Sequence, residues 1–262
     1  MNILFPYSSI LGLTTFMANL SSHFHAGGEI QHEPMKAPIQ VEMVLVSGGT
    51  FEMGCNLSPL QECAFDEKPT HQVSITPFLL GKYEVTQEQW TDVMGSNPSH
   101  FSDCATCPVE NVSWEEVQAF ISRLNAQTGS SYRLPTEAEW EFASRNGSGS
   151  GSNLFSGSSQ ADAVAWFLDN GEGIPHPVGQ KAANGLGIHD MTGNVSEWCS
   201  DWFGKYEATA QYNPSGPQDG KYKVVRGGSV FSKQEYCRVT DRMSLLPTQR
   251  NEGTGFRLAL NP

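Results

Sequence analysis

The sequence predicts an α+β fold with a few helices in its first half and a loop-rich second half. Three observations predict it. Three capping boxes mark helix starts between residues 86 and 139; short apolar runs bounded by Gly, Pro and Asn read as strands; and 26 glycines in 262 residues ask for far more turn than a helical bundle contains. A chain of this length can bury one large core or two small ones.

Residues 1–40 scatter His, Pro and Gly without an apolar period and read as leader and linker, leaving 41–262 as the domain. The first thirty-five residues hold no Lys or Arg. The apolar run at 10–20 therefore lacks the positive flank of a secretory signal, and it reads as a degenerate export signal or a plain leader. Order begins at Val41, with 41–46 and 47–54 expected as two short strands around a turn at Gly48-Gly49. A loop with two cysteines and Asp66-Glu67 follows. Residues 71–83 resume extended character through Val73, Ile75, Phe78, Leu80 and Tyr83.

The three helices announce their starts. In Thr86-x-x-Gln89, Ser113-x-x-Glu116 and Thr136-x-x-Glu139 the hydroxyl can accept from the third helical amide while the Gln or Glu reaches back to the cap. The first helix is expected to run to about Met94, before Gly95. The second carries Trp114, Val117, Phe120, Ile121 and Leu124 on one face and stops at Gly129. The third is expected to end near Gly147. Residues 146–152 then form a polar Gly/Ser loop within the domain, and from Ala161 only short extended runs remain.

A formal charge of −12 disfavours nonspecific binding to nucleic acid or anionic membranes. No apolar run is long enough to span a bilayer. The even set of six cysteines, at 55, 63, 104, 107, 199 and 237, points to an oxidising, extracytoplasmic compartment. Pairing by proximity joins Cys55 to Cys63 and Cys104 to Cys107, which leaves Cys199 for Cys237. The Cys104-Ala105-Thr106-Cys107 motif is alternatively redox-active or half of a zinc site, although no second such motif or His pair accompanies it.

The densest stretch is 185–202. Asp190, Gly193, Val195 and Glu197 are spaced so that a turn and an extended segment aim two carboxylates and two backbone carbonyls at one point, as Ca²⁺ requires. The same spacing also suits a tight turn whose carboxylates accept from backbone amides.

Six patterns occur in order: Gly49-Thr50-Phe51-Glu52-Met53-Gly54, Lys82-Tyr83-Glu84-Val85-Thr86, Arg133-Leu134-Pro135-Thr136-Glu137-Ala138-Glu139-Trp140-Glu141, Gly193-Asn194-Val195-Ser196-Glu197-Trp198, Arg226-Gly227-Gly228-Ser229 and Gly255-Phe256-Arg257-Leu258. From about residue 41 to 260 the chain resembles the formylglycine-generating enzyme (sulfatase-modifying factor) superfamily. The resemblance implies a variant C-type-lectin fold with short antiparallel sheets, two to three helices and much irregular structure. It implies structural calcium on Asp190, Gly193, Val195 and Glu197, while the family's second calcium site, around 163–170, is not recognisable. Ser196 stands where the family has a Trp, which opens a place at the surface groove.

The family's chemistry uses two cysteines five residues apart to hold Cu(I). Here those positions carry Ser232 and Cys237, so the first thiol is missing and copper is not expected. Related sulfur-transferring enzymes use iron on three histidines, but the seven histidines here show no such arrangement. The resemblance then implies a noncatalytic protein that takes a protein or peptide ligand. In lectin-fold relatives diversified by retroelements the segment 230–254 is the binding face, which here offers Val230, Phe231, Ser232, Tyr236, Thr240, Met243, Ser244, Leu245 and Gln249. The alternatives are an ordinary loop, or an altered oxidoreductase or maturation factor working through Ser229, Cys237 or another metal. Cys237 is expected to anchor the segment to Cys199.

Overall fold

The computed structural model describes residues 39–56, 63–148 and 153–262. The expected leader, apart from its last two residues, and the tip of the Gly/Ser loop at 149–152 lie outside the described residues. The domain opens with β1 (Met43–Val46) and β2 (Gly49–Met53), answered by β3 (His71–Ile75) and β4 (Phe78–Gly81). The expectation of a turn at Gly48-Gly49 is corrected, because β1 and β2 do not pair with each other. β1 pairs antiparallel with β4 and β2 with β3, and the register passes the corner unbroken: Val46 lies opposite Phe78 and Gly49 opposite Ile75. The two runs form one long hairpin bent sharply between two sheets. A Cβ on Gly48 would stand 2.4 Å from the Ile75 carbonyl oxygen, so the strands cross there only because that side chain is absent.

Three helices, α1 (Gln87–Met94), α2 (Trp114–Thr128) and α3 (Glu137–Ser144), start at the capping boxes. Thr86, Ser113 and Thr136 accept the third helical amide at 3.2, 3.2 and 3.1 Å. Gln89, Glu116 and Glu139 accept the cap amides in return at 3.0, 3.0 and 2.8 Å. α3 ends at Ser144, short of the expected Gly147, and a single turn, α4 (Ala161–Val164), follows. The second half contributes β5 (Ser196–Trp202), β6 (Gln211–Tyr212), β7 (Lys223–Arg226), β8 (Arg242–Leu245), β9 (Thr254–Gly255) and β10 (Ala259–Leu260). The sheets run β1-β4-β10, β2-β3-β6 and β8-β7-β5-β9. The α+β expectation holds.

α1 and α2 pack through Trp90, stacked on Phe120 with ring centroids 5.0 Å apart, and Phe256 meets both rings edge-on. α3 sits against β2, β3, β5 and β7, and all eight of its residues are buried. That takes Glu137, Glu139 and Glu141 out of water, which is tolerated only when each carboxylate is paired. Arg133 grips Glu139 with two bonds of 2.6 and 2.7 Å. Arg226 bridges Glu137 at 3.0 Å and Glu141 at 2.7 Å, and Arg242 takes both oxygens of Glu137 at 2.6 and 2.8 Å. The Arg-Gly-Gly-Ser pattern and the Glu-rich helix pattern are thus two halves of one buried latch.

Candidate functional site

The 187–195 turn uses left-handed backbone at Gly187, Asp190, Gly193 and Asn194. Gly193 also lies under Trp166, whose carbonyl oxygen would be 2.2 Å from a Cβ there. The turn carries Asp190 and Glu197 to Glu84, which precedes α1. Asp190 Oδ2 accepts the Gly179 amide at 2.7 Å, whereas Oδ1 is buried with no hydrogen-bond partner among the described residues. Glu197 accepts two bonds from Arg257, at 2.7 and 2.6 Å, and one from the Trp140 indole at 2.8 Å. Glu84 accepts from the Asn194 side chain at 2.8 Å and the Val195 amide at 3.2 Å. Burial, then the charges of Asp190 and Glu197, hold Glu84 well above the usual carboxylate range, and burial also raises Asp190. Three carboxylates face one guanidinium here. Ser196 does not open onto a groove as expected: it is buried, and its amide donates to the Gly253 carbonyl at 2.8 Å.

Cys55–Cys63 and Cys104–Cys107 are disulfides, and the second bond leaves no thiolate pair for zinc. The expected Cys199–Cys237 bond is corrected: both are free, buried thiols in different clusters. β5 turns Cys199 toward α3 and Val224, while Cys237 closes a short turn packed on Phe155 and Phe167. Burial, followed by the Asp241 charge, pushes the Cys237 thiol up to about 12. It is therefore neither a ready nucleophile nor a thiolate ligand. Ser229 and Ser232 tie their loop: Ser232 Oγ accepts the Ser229 amide at 3.1 Å and Ser229 Oγ the Phe231 amide at 3.2 Å.

The residues expected to contact a ligand divide. Phe231, Tyr236 and Met243 are exposed by 42, 57 and 41%, and Gln249 is exposed as well. Ser232, Ser244 and Leu245 are half-buried. Val230 and Thr240 are buried and must be removed from the surface set. The Val230 amide donates to the Asn194 carbonyl at 3.0 Å, and the Thr240 hydroxyl donates to Glu67 at 2.7 Å. Tyr236 lines a cleft with Leu154, Phe155 and Asp241, and Met243 sits on β8 at a sheet edge.

Phe231 faces partners that no sequence pattern pointed to. Its ring lies 6.2 Å from that of Phe101, which His100 meets edge-on at 4.8 Å. His100 Nδ1 is 3.5 Å from the Glu252 carboxylate. Beneath them Glu110 accepts the Phe101 amide at 2.9 Å through Oε1, while Oε2 is buried and unpartnered among the described residues. Burial pushes Glu110 up to about 7. The available signal was an acid standing inside the apolar run Pro108-Val109-Glu110-Asn111-Val112.

A loop-rich body of short sheets, latched by buried Arg–Glu pairs between its motifs, is the lectin-like frame that the patterns implied. Residues 30–262 match the family model of the sulfatase-modifying factor enzyme 1-like domain (FGE-sulfatase), and the chain belongs to that family. It is 31% identical to the chaperone protein LppX of Paenibacillus barcinonensis, over 76% of this chain and 82% of that protein. It is 29% identical to the formylglycine-generating enzyme of Thermomonospora curvata, over 87% of this chain and 97% of the enzyme. Against the serine/threonine-protein kinase pkn1 of Chlamydia pneumoniae, 31% identical, the match spans only 40% of the relative's length. Among solved structures, Treponema denticola variable protein 1 superposes with a TM-score of 0.77 at 30% identity, covering 84% of this chain and 95% of that one.

Proposed function

We propose that this chain is an extracytoplasmic ligand-binding protein that uses the family frame without the formylglycine-generating oxidation. It takes a protein or peptide ligand on the face around Phe231 and Phe101. The observation that carries this reading is an exposed Phe231 ring set beside the half-buried Phe101, next to a buried, half-satisfied carboxylate, on a loop whose amides are held by the Ser229 and Ser232 hydroxyls. Likeness to a variable protein supports it, as does the hydroxyl at the first copper position. Two disulfides suit an oxidising compartment, and among the described residues no helix is long and apolar enough to cross a membrane.

Calcium on Asp190, Glu197 and the carbonyls of Gly193 and Val195 belongs to the same reading. The unpartnered Asp190 oxygen and the excess of carboxylate over guanidinium favour a hard cation. Added Ca²⁺ is expected to raise the unfolding temperature of chelator-treated protein, and Asp190→Asn to abolish that rise.

The binding test selects ligands from a displayed peptide library on the intact protein, then repeats the measurement with Phe231→Ala and Phe101→Ala. Each is expected to weaken binding by about tenfold or more with the fold unchanged. Undiminished binding by the double variant rejects the face. Conversion of a cysteine-containing sulfatase peptide with the formylglycine mass loss, dependent on O₂, rejects the loss of oxidation and returns the protein to the oxidoreductases.

A further inference from the structure

We propose that the Cys55–Cys63 disulfide is a thiol-exchange site: a cysteine thiol, peptide-borne or free, enters the adjoining cleft and attacks Cys63, with Cys55 as the leaving sulfur. The inference is independent of the binding face around Phe231. The cleft, about 520 Å³, is walled by Cys63, Leu154, Phe155, Tyr236, Arg238 and Asp241. Cys63 is half-buried on that wall, whereas Cys55 is only 4% exposed behind it. An entering thiol therefore reaches one sulfur of the pair.

The buried sulfur is the one prepared to leave. Arg238 Nη1 lies 3.8 Å from Cys55 Sγ, where negative charge collects as the bond breaks. The same guanidinium is anchored on Glu67 and Thr240, at 2.9 Å in each case, and on Asp241 at 3.3 Å, which fixes its direction. The Glu67 carboxylate lies within 4.8 Å of both sulfurs, so what Cys55 gains is the directed N–H of Arg238 and not a net positive surrounding. The second disulfide also has an outer and a buried sulfur, but no guanidinium stands beside the buried one among the described residues. Its outer sulfur, Cys104, has a hydroxyl neighbour, Thr106, at 4.0 Å; its buried sulfur, Cys107, rests 3.5 Å from the Pro175 carbonyl oxygen. A thiolate expelled at Cys107 would face that oxygen rather than a cation.

The incoming sulfur attacks as a thiolate, its proton passing to solvent or to the Asp241 carboxylate on the cleft wall. A bond forms between that sulfur and Cys63 Sγ. The Cys55–Cys63 bond breaks, and its electron pair leaves on Cys55 Sγ. One disulfide is consumed and one is formed, so no external oxidant or reductant is required. Burial pushes Asp241 up to about 7, which suits it to take a proton near neutrality.

The test treats the whole disulfide-bonded protein with N-acetylcysteine amide near neutral pH, quenches with acid, alkylates and maps the adducts by mass spectrometry. The expected products are a mixed disulfide on Cys63 and an alkylated Cys55, with Cys104–Cys107 opening about tenfold more slowly. Arg238→Met should slow the first opening about tenfold and Arg238→Lys by less, while both leave the Cys104–Cys107 rate unchanged, which also reports that they are folded. An adduct on Cys55, equal opening of the two disulfides in the unmutated protein, or an unslowed Arg238→Met overturns the proposal.

Discussion

The frame around α3 and the segment after Ser229 use the same residue types to different ends. In the frame nearly every charge is buried and paired: Arg226 with Glu137 and Glu141, Arg257 with Glu197, Arg133 with Glu139. In the segment such latches alternate with open positions. Arg238 is tied to Glu67 and Arg242 to Glu137, yet Phe231, Tyr236 and Met243 between or beside them face solvent. The segment is therefore not a free loop. It is a pinned ribbon whose unpinned positions can change without disturbing the fold, and Val230 and Thr240 belong to the pins.

The largest test of that contrast is Arg226→Met. It takes one guanidinium from two buried carboxylates, leaving Glu137 to Arg242 and Glu141 to Arg145, and is expected to cost about 3 kcal/mol, read from denaturant midpoints. A loss below about 1 kcal/mol would mean that the latch is ornamental.

Glu110→Gln probes the boundary between frame and face, with a sign fixed by linkage. Glu110 titrates in the folded protein at about 7, above its ordinary value of 4.5. Its contribution to stability is thus fully present below about 4.5 and is lost as pH rises through 7. Gln cannot ionise, so the variant should gain on the order of 2 kcal/mol relative to wild type at pH 8 and nothing at pH 4. Thermal unfolding at the two pH values checks it, and an equal effect at both would refute the buried ionisation.

Phe231→Ala should move stability by no more than about 0.5 kcal/mol, because the side chain is already exposed by 42%. A larger loss in urea would place Phe231 among the pins. The smallest expected signal is chemical: denatured protein should release two thiols, Cys199 and Cys237, and the native protein essentially none to a thiol reagent. A native protein without thiols even after denaturation would restore the third disulfide.

What was legible in the sequence was local. The capping boxes close within three residues, and the two disulfides span eight and three. Ordered patterns spread along the chain likewise sufficed for the family. Misreadings came where one segment meets another far away in sequence. Gly48 looked like a turn until 71–81 lay against it, and Cys199 and Cys237 looked like a pair because counting ignores the directions in which β5 and the 234–236 turn point.

The sequence alone determined where helices begin, which near cysteines join and to which family the chain belongs, since those depend on neighbours or on ordered motifs. Only tertiary structure decided that Arg226 would meet carboxylates 89 and 85 positions away, or that Arg238 would reach Cys55 across 183. It also brought Phe231 beside Phe101, near a buried carboxylate with one unpartnered oxygen. A guanidinium or an aromatic ring is indifferent to chain order. Its partner is whatever the packed core leaves within reach, and burial then makes that choice costly to undo.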